Sequence, residues 1–398
     1  MPAVTKSANL HSPEAALEAF LDTVIPVARA SAVDLEYADN RVLSTDLVAP
    51  KDYPHYDLCF MDGFAVRAKD TAGARPGSGV VLRCPGGEEA GQGECVQVHT
   101  GSALPPGADA VVKVEDTEVV AGGIQIYREA ASGDNFTPRG KSIRRGEIVF
   151  RAGMQLKPTN IALLASLGLT EVEVYDRPRV LIIPTGDELV ERGRQAGPGS
   201  INESNGLMCQ LLVKRYGGKP ALWSIVPDNM EKLTEAVRAG LRYDLIVTTG
   251  GTSVGKRDLM PRIVASMGKI VVHGVGMRPG RPVGMGYVEE GERRTPIVFL
   301  PGFPDACAVS AMFFVCPAVR KLGRYPPLRY PTGAAIVAGT NHIGHRSRSI
   351  TKVRVQDGKA MPVPTVGPAP LEGEYSYVIT PENREHGEGE KVELKYLE

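Results

Sequence analysis

The sequence lacks any long uninterrupted apolar run. No stretch approaches the roughly 18 apolar residues that a membrane-spanning helix requires, and the N-terminus does not carry a basic segment followed by an apolar core. These absences argue against a membrane protein and against a secretory leader. We therefore expect a cytoplasmic protein that has no membrane partner.

The chain also lacks a net charge and paired cysteines. Lys and Arg number 46, as do Asp and Glu, so no global field attracts nucleic acid or an anionic membrane. The six cysteines are scattered without a Cys-x-x-Cys pair, which argues against a disulfide framework and against a zinc site. Nucleic acid is thus not an expected partner, and the thiols are expected to be reduced.

What the sequence does contain is a succession of different patterns along 398 residues, enough for several domains. Ser12-Pro13-Glu14 predicts the start of an amphipathic helix, and residues 156–170 predict a second helix. Short β-type runs separated by turn residues precede residue 146 and follow residue 326. Between them strands alternate with helices, which is typical of a parallel, doubly wound sheet with helices on both faces.

The predicted fold is therefore multidomain, of class α/β plus β. The predicted domains are a helical or linker domain at 1–50 and 146–177, a β-rich domain at 51–145, an α/β domain at 178–326 and a small C-terminal β domain at 327–398. Within the α/β domain, the apolar runs 180–183, 222–226, 245–248 and 297–300 predict the strands.

The segment 244–258 carries the strongest local signal for a ligand. An apolar run at 245–247 gives way to Gly250 and Gly251, which let the backbone approach a ligand and present N–H groups to an anion. A tight turn without a ligand is the alternative interpretation. Similar loops follow the other predicted strands, and ligands bind outside the carboxyl ends of such strands. The sequence therefore favours one shared site for an anionic ligand.

Charged side chains follow the same strand ends. Glu188 follows the first strand and Asp228 the second, while Arg278 and Arg281 surround a Pro-Gly turn. Guanidinium groups suit phosphate or another oxyanion, and carboxylates suit a divalent metal. Plainer interpretations exist, because Asp228 with Glu231 fits a helix capping box, Glu188 fits a solvated turn and the arginines fit a solvated basic loop.

The order of its motifs makes the chain resemble the MoeA family of molybdopterin molybdenumtransferases, which includes the E domain of gephyrin. The resemblance covers nearly the whole chain. The matching motifs are Met61-Asp62-Gly63-Phe64-Ala65-Val66, Thr100-Gly101, residues 104–112 and 184–189, Asn202-Glu203-Ser204-Asn205, and residues 248–258, 277–282 and 300–304.

This resemblance implies a four-domain protomer in a homodimer, with an α/β domain similar to the MogA fold. It implies insertion of molybdenum from molybdate into adenylylated molybdopterin, with Mg²⁺ present and AMP released. Other proteins of molybdenum cofactor biosynthesis are candidate partners. In the family the site lies between subunits, with one β-rich domain facing the α/β domain of the other protomer.

The resemblance also carries residue roles over to this chain. The implied catalytic residues are Asp62, Thr100, Glu188 and Asp228. Asp62 and Glu188 are the implied metal ligands, and Asp62 and Thr100 would come from one protomer. The implied cofactor-binding residues are Asn205, Gly250, Gly251, Ser253, Asp258, Arg278, Arg281, Pro301 and Pro304.

Several positions depart from the family pattern. Thr137 and Ser142 align where the family has an Arg and an Asp, and Phe303 and Asp305 bring an aromatic ring and an acid into a loop that usually carries an amide and a hydroxyl. A catalytically weakened relative that binds cofactor or acts as a scaffold is therefore the alternative to an insertase. Adenylyl transfer by the α/β domain alone is a third hypothesis. Molybdate and tungstate share charge and shape, so the sequence does not distinguish them.

Overall fold

The computed structural model describes residues 10–251, 259–339, 343–345, 348–363 and 374–397. The chain divides into two compact units. One comprises Met1–Ser31, Asn40–Val42 and Val174–Glu398, and the other comprises Ala32–Asp39 and Leu43–Glu173. The four-domain division is finer than this one and stays a prediction. Among the described residues, no helix is both long enough and apolar enough to cross a membrane.

The larger unit is built on a six-stranded sheet. Its strands lie in the order Lys219–Leu222, Arg179–Pro184, Leu245–Thr249, Arg293–Leu300, Gly284–Glu290 and Gly268–His273. The first four are parallel, with Val180 opposite Leu245 and Val247 opposite Val298. The last two are antiparallel. Three of the parallel strands are apolar runs buried on both faces, as strands in the middle of an α/β sheet usually are.

Two details of this sheet differ from the sequence-based expectation. The strand predicted at 222–226 is wrong in its bounds, because the regular strand is Lys219–Leu222. The antiparallel strands Gly268–His273 and Gly284–Glu290 were not predicted. Glycine weakens a strand pattern, yet Gly284 is required here because a Cβ at this position would lie 1.8 Å from the Phe299 ring.

Helices cover both faces of the sheet, as predicted. On one face, Ile182 and Val247 pack with helix Asn205–Arg215 and with a long helical segment near the end of the unit. On the other, Leu181 and Ile246 pack with helices Met230–Gly240 and Leu259–Met267. The long segment consists of Pro304–Ser310, the π-helical Ala311–Val315 and Cys316–Leu322.

The predicted first helix is confirmed as Pro13–Leu21. The Ser12 hydroxyl caps it by accepting the Ala15 N–H at 3.2 Å. Ala16 and Phe20 are fully buried in the core of the larger unit, which also holds Ile182 and Val247. The helix therefore belongs to the packing of the α/β unit.

The smaller unit is β-rich, as predicted. Two antiparallel three-stranded sheets form it, together with short strand pairs, 3₁₀ turns and one helix. The first sheet has Gly63–Val66 between Cys95–Val98 and Ala110–Lys113, and the second has Gly123–Ile126 between Val80–Leu82 and Thr117–Val120. The remaining elements are Ala30–Asp34, Leu35–Tyr37, Leu47–Val48, Leu58–Cys59, Ala68–Thr71, Val114–Asp116, Phe136–Thr137, Ile148–Phe150, Pro158–Ser166 and Glu171–Tyr175, the first and last of which straddle the division between units.

The predicted C-terminal β domain is confirmed as a closed barrel. It consists of Thr332–Val337, Lys359–Pro362, Ser349–Gln356, Glu374–Thr380 and Lys391–Lys395. Ile343–His345 pairs with Arg384–His386 beside it. Val353, Val378 and Leu394 fill its interior. The interior cluster of the barrel is distinct from the two that sandwich the six-stranded sheet, but Ile350 and Tyr377 of the barrel strands pack into one of those two.

Candidate active site

The loops at the carboxyl ends of the parallel strands are tied together by backbone hydrogen bonds. Thr185 N–H donates to the Thr249 carbonyl at 2.9 Å, and Gly250 N–H donates to the Leu300 carbonyl at 3.0 Å. Asp228 N–H donates to Asp187 Oδ1 at 3.0 Å. Strand order reverses between Arg179–Pro184 and Leu245–Thr249, which is the place where doubly wound sheets open a ligand crevice. The sequence-based expectation that these strand ends converge is confirmed.

The Gly250–Gly251 turn has a conformation that requires glycine. Its φ angles are +96° and +68°, which L side chains rarely adopt. A Cβ at Gly250 would lie 2.3 Å from the Thr185 carbonyl oxygen. The turn therefore packs against the neighbouring strand end. Ser253 and Asp258, which were assigned to the same loop, lie outside the described residues.

The acidic residues Glu188 and Asp228 lie in the loops that follow the first two strands, and these loops are joined by the Asp228–Asp187 hydrogen bond. Glu188 is exposed, and its carboxylate folds back so that a Cβ at Gly186 would lie 2.7 Å from Oε1. The capping-box interpretation of Asp228 is wrong. Asn229 caps helix Met230–Gly240 instead, because its side chain accepts the Lys232 N–H at 3.0 Å. The helix start therefore does not account for an acid at 228.

The Arg278–Pro282 turn is held by backbone contacts on both sides. Arg278 N–H donates to the Arg348 carbonyl at 3.0 Å, and Ile350 N–H donates to the Arg278 carbonyl at 2.7 Å. Val275 N–H donates to the Arg281 carbonyl at 2.9 Å. Both guanidinium groups are exposed, and neither forms an ion pair with another described residue. The turn therefore presents two positive charges on a fixed backbone.

The loop after the last parallel strand closes the same edge. Asn205 Nδ2 donates to the Gly302 carbonyl at 2.7 Å, and a Cβ at Gly302 would lie 3.6 Å from the Gly250 Cα. Pro301 follows the last residue of the strand, Leu300, and Pro304 begins the next helix. The predicted binding residues at 205, 250, 301 and 304 thus border one crevice.

Asp305 lies in the first turn of that helix. Its Oδ2 is buried and has no hydrogen-bond partner among the described residues. Burial raises the pKa of the Asp305 carboxyl, and the positive charge of Lys352 opposes the rise. Lys352 belongs to barrel strand Ser349–Gln356, and its Nζ lies 4.8 Å from the centre of the Tyr375 ring.

Two basic residues near this edge were missed by sequence reasoning. Lys352 lies close enough to Asp305 to affect its pKa, and Arg348 contacts the Arg278–Pro282 turn through its carbonyl. The Arg348 guanidinium is engaged by Glu14 through two hydrogen bonds. A basic residue on an amphipathic strand is an ordinary surface feature, so only the fold reveals the proximity.

In the smaller unit, Asp62 and Thr100 are in direct contact. Asp62 Oδ1 accepts the Thr100 N–H at 2.7 Å, and His99 Nδ1 lies 3.8 Å from the same oxygen. The Thr100 hydrogen bond holds the pKa of the exposed Asp62 carboxyl below its ordinary value. Asp62 is therefore ionised at neutral pH.

The departures at 137 and 142 lie on either side of a turn in this smaller unit. Arg139 lies between them, and its Nε donates to Asp52 Oδ2 at 2.7 Å while its N–H donates to Asp57 Oδ1 at 2.8 Å. Lys141 is exposed, and its side chain has no ion-pair partner among the described residues. Lys141 is thus the cation of this turn that is not already paired.

Asp62 and Glu188, the predicted metal ligands, are both carboxylates. Among the residues that the structure describes, no three His, Cys, Asp or Glu side chains converge as a metal-binding group. Mg²⁺ commonly uses one or two carboxylates together with substrate phosphates. Asp62 is an ionised, exposed oxygen donor and Glu188 is an exposed carboxylate, so both fit that chemistry.

Comparisons with known proteins agree on one family. The family model described as "MoeA N-terminal region (domain I and II)" matches residues 11–168, and the one described as "Probable molybdopterin binding domain" matches residues 181–321. A molybdopterin molybdenumtransferase of Nostoc sp. is 35% identical over 335 residues, 81% of this chain and 75% of that protein. Molybdopterin molybdenumtransferase 2 of Mycobacterium tuberculosis is 34% identical over 322 residues, 77% of this chain and 78% of that protein.

A solved structure is similar over almost the full length. The crystal structure of the molybdopterin biosynthesis moeA protein of Pyrococcus horikoshii superimposes with a TM-score of 0.80 and 28% identity. The match covers 97% of this chain and 100% of that chain. The C-terminal barrel, which the two family models leave out, is therefore part of the shared fold.

Proposed function

This chain belongs to the MoeA family of molybdopterin molybdenumtransferases, and we propose that it inserts molybdenum from molybdate into adenylylated molybdopterin and releases AMP. It is a transferase of molybdenum cofactor biosynthesis. The relatives give no support to the alternative of a scaffold or a weakened cofactor binder. We place the reaction in the cytoplasm, with other molybdenum cofactor biosynthesis proteins as partners.

One observation carries this assignment at the level of geometry. The glycine turn at 250–251 packs against Thr185 at the point where strand order reverses, and the Pro-Gly turn of Arg278 and Arg281 is held rigidly in the same unit. The glycines at 250 and 251 let a ligand approach the backbone closely, and guanidinium groups favour anions. A substrate that carries a diphosphate and reacts with an oxyanion needs both features.

We assign substrate binding to the crevice at the strand ends. The phosphates and the pterin would contact Asn205, Gly250, Gly251, Ser253 and Asp258, and the loop containing Pro301 and Pro304 would close over them. Arg278 and Arg281 would hold a phosphate of the substrate and the oxyanion, because guanidinium groups form charge-assisted hydrogen bonds with tetrahedral anions of both kinds. Fixed backbone on both sides of the arginine turn would limit the reorganisation needed on binding.

We assign metal binding and catalysis to acids of two protomers in a homodimer. Asp62 and Thr100 of one protomer would meet Glu188 and Asp228 of the other. Mg²⁺ held by Asp62 and Glu188 would neutralise charge that develops on the phosphates during cleavage. Thr100 would act by fixing Asp62 in its ionised form, which its N–H already does in the free chain.

The departures from the family pattern call for a local change in residue use. We propose that Lys141 takes over from the Arg that Thr137 replaces, and that Asp305 takes over from the Asp that Ser142 replaces. Lys141 is suited because it is exposed and Arg139 is already bound to Asp52. Lys141→Ala and Asp305→Ala proteins are expected to lose turnover. If the wild type releases no AMP while a Thr137→Arg/Ser142→Asp protein does, this reassignment is wrong.

The test of the proposed function is a turnover assay on the full-length protein. Adenylylated molybdopterin, Mg²⁺ and molybdate are supplied together, and AMP release is measured with and without the oxyanion. AMP release that depends on molybdate is the expected result. Replacing molybdate by tungstate reveals which metal is preferred. Binding of the substrate with no AMP release in either oxyanion would favour the non-catalytic alternative.

A further inference from the structure

A cavity of about 310 Å³ opens beside the carboxyl ends of strands Arg179–Pro184 and Lys219–Leu222. Pro184, Leu222 and Trp223 form part of its apolar lining, and Arg192 and Glu203 are charged residues of the lining. The Glu203 Oε1 converges with the Pro184 and Leu222 side chains, since all three lie 2.9 Å from the place of a Cβ at Gly206. None of these five lining residues belongs to the proposed phosphate, oxyanion or metal sites. The cavity therefore needs a separate explanation.

A backbone bulge creates this space. Trp223 N–H donates to the Ile182 carbonyl at 2.8 Å, and Val226 N–H donates to the Pro184 carbonyl at 2.9 Å. The two hydrogen bonds are three residues apart on one side, from Trp223 to Val226, but only two residues apart on the other, from Ile182 to Pro184. The segment that follows strand Lys219–Leu222 therefore contains one extra residue. Such bulges redirect side chains and are frequent beside active sites. The strand predicted at 222–226 fails because of this bulge, and the side chain of the only tryptophan lines the resulting cavity.

The opposite wall is held by its own hydrogen bonds. Leu189–Val190 pairs in parallel with Ile201–Asn202, and Asn202 Nδ2 donates to the carbonyls of Glu191 at 3.1 Å and Arg194 at 2.9 Å. Glu203 is 4% exposed, and its carboxylate accepts the Gly206 N–H. The cavity is thus largely formed before any ligand binds, as small-molecule pockets usually are.

We propose that this cavity binds the adenine ring of the adenylylated substrate and of the product AMP. Trp223 provides a stacking surface, since aromatic side chains stack on nucleobases. The buried Glu203 carboxylate accepts a hydrogen bond from the amino group at position 6 of the ring. Hypoxanthine has a carbonyl oxygen at that position. This oxygen and the carboxylate are both hydrogen-bond acceptors, so the cavity should disfavour hypoxanthine. This inference rests on the proposed function, because that function supplies the adenylylated substrate.

The position of the cavity selects adenine over the pterin. Pro184 lines the cavity, and the next residue, Thr185, contacts the Gly250 turn that we assign to phosphate. The cavity lies on the Lys219–Leu222 side of strand Arg179–Pro184, whereas the glycine turn follows the strand on its other side. The substrate carries a ring system at each end of its diphosphate. Because the pterin is assigned to the side of the glycine turn, the adenine ring is the one that would occupy this cavity.

The test uses the tryptophan as its own reporter. AMP, IMP and ribose 5-phosphate are titrated into the full-length protein, and binding is followed by calorimetry and by Trp223 emission. AMP is expected to change the emission and to bind at least about tenfold more tightly than IMP. Glu203→Gln should reduce the preference for AMP over IMP. The amide oxygen can accept from the adenine amino group, the amide NH₂ can donate to the hypoxanthine carbonyl, and the oxygen can still accept the Gly206 N–H.

Variants separate stacking from phosphate binding. Trp223→Ala should weaken AMP about tenfold or more and leave ribose 5-phosphate unchanged, whereas Trp223→Phe should stay within about threefold of wild type. Leu211→Ala, an exposed change on helix Asn205–Arg215, is the matched control. AMP binding that leaves the wild-type emission unchanged overturns the proposal without any variant, as does no AMP binding at millimolar concentration.

The AMP-binding test and the turnover assay can fail separately. Molybdate-dependent AMP release together with no effect of AMP on Trp223 would refute the adenine site and leave the proposed function intact. Adenine-selective binding at Trp223 without molybdenum insertion would refute the proposed function and support the site.

Discussion

Replacing Gly250 by alanine should damage the active site through the backbone itself. Gly250 has a φ of +96°, and a Cβ would lie 2.3 Å from the Thr185 carbonyl oxygen, well inside contact distance. An L residue in the left-handed region costs about 1–2 kcal/mol, and forcing an extra carbon into a packed place costs a further 1–3 kcal/mol or so. We therefore expect Gly250→Ala to lose about 2–5 kcal/mol of stability.

Gly291→Ala is the matched control. Gly291 lies in the hairpin that connects strands Gly284–Glu290 and Arg293–Leu300, and it also has a positive φ, +60°. A Cβ at Gly291, however, would have no other atom within 4 Å. The cost of this variant should be the left-handed term alone, about 1–2 kcal/mol. The difference of about 1–3 kcal/mol between the variants then measures the contact with Thr185, and it corresponds to roughly 2–12 °C in the melting temperature of a unit of this size.

Thermal unfolding followed by Trp223 emission reports on the α/β unit, since the chain has one tryptophan. The same proteins are then assayed for AMP release. Gly250→Ala should be less stable than Gly291→Ala and inactive, while Gly291→Ala keeps its activity. Equal melting temperatures for the two variants would contradict the close packing of the turn on Thr185.

Three further predictions concern charged residues. Asp62→Ala and Glu188→Ala proteins should each be inactive, and mixing them under conditions of subunit exchange should restore activity; no recovery despite demonstrated exchange argues against a shared site. Arg281→Ala should weaken molybdopterin binding by about ten- to a hundredfold in calorimetry. The control Arg294→Ala, which removes an exposed ion pair with Glu289, should leave the affinity unchanged. If Arg281→Ala binds molybdopterin as tightly as the wild type, the turn is a solvated loop. Burial raises the pKa of the Asp305 carboxyl above its value in the unfolded chain. The wild type should therefore lose stability relative to Asp305→Asn as pH rises from about 4 through the native pKa, because the buried carboxyl must then ionise. A difference in melting temperature between the two proteins that does not change with pH would contradict this.

Much of the architecture follows from local patterns in the sequence. Apolar runs such as 180–183 and 245–248 have no polar face, so they predicted buried parallel strands, and Ser12-Pro13 predicted a helix start that the structure confirms. The strand Gly284–Glu290 was missed because its glycines serve close packing against the two adjacent strands, Gly284 against the Phe299 ring and Gly286 against the Lys269 carbonyl. Long-range packing of this kind leaves no periodic signal.

The candidate site divides in a similar way. The strand-end loops could be predicted because parallel strands deliver their carboxyl ends to one edge. Lys352 and Trp223 could not be predicted. Lys352 affects the site because the fold places its barrel strand close to Asp305, which is far away in sequence. Trp223 lines the cavity because of a one-residue bulge, and residue propensities do not predict such a bulge. The alternative interpretation of Asp228 as a helix cap arose because Asp and Asn are both good caps, and the structure shows that Asn229 fills that role.

The acid at 305 is compatible with an anion site because the fold brings a cation with it. An isolated carboxylate in the loop that closes this crevice would oppose oxyanion binding, since like charges repel. Lys352 lies close enough to lower the pKa of Asp305 against the effect of burial, and its position over the Tyr375 ring fixes where that charge lies. The added acid and the cation then sum to no net charge. The positive potential of the arginine turn is therefore preserved.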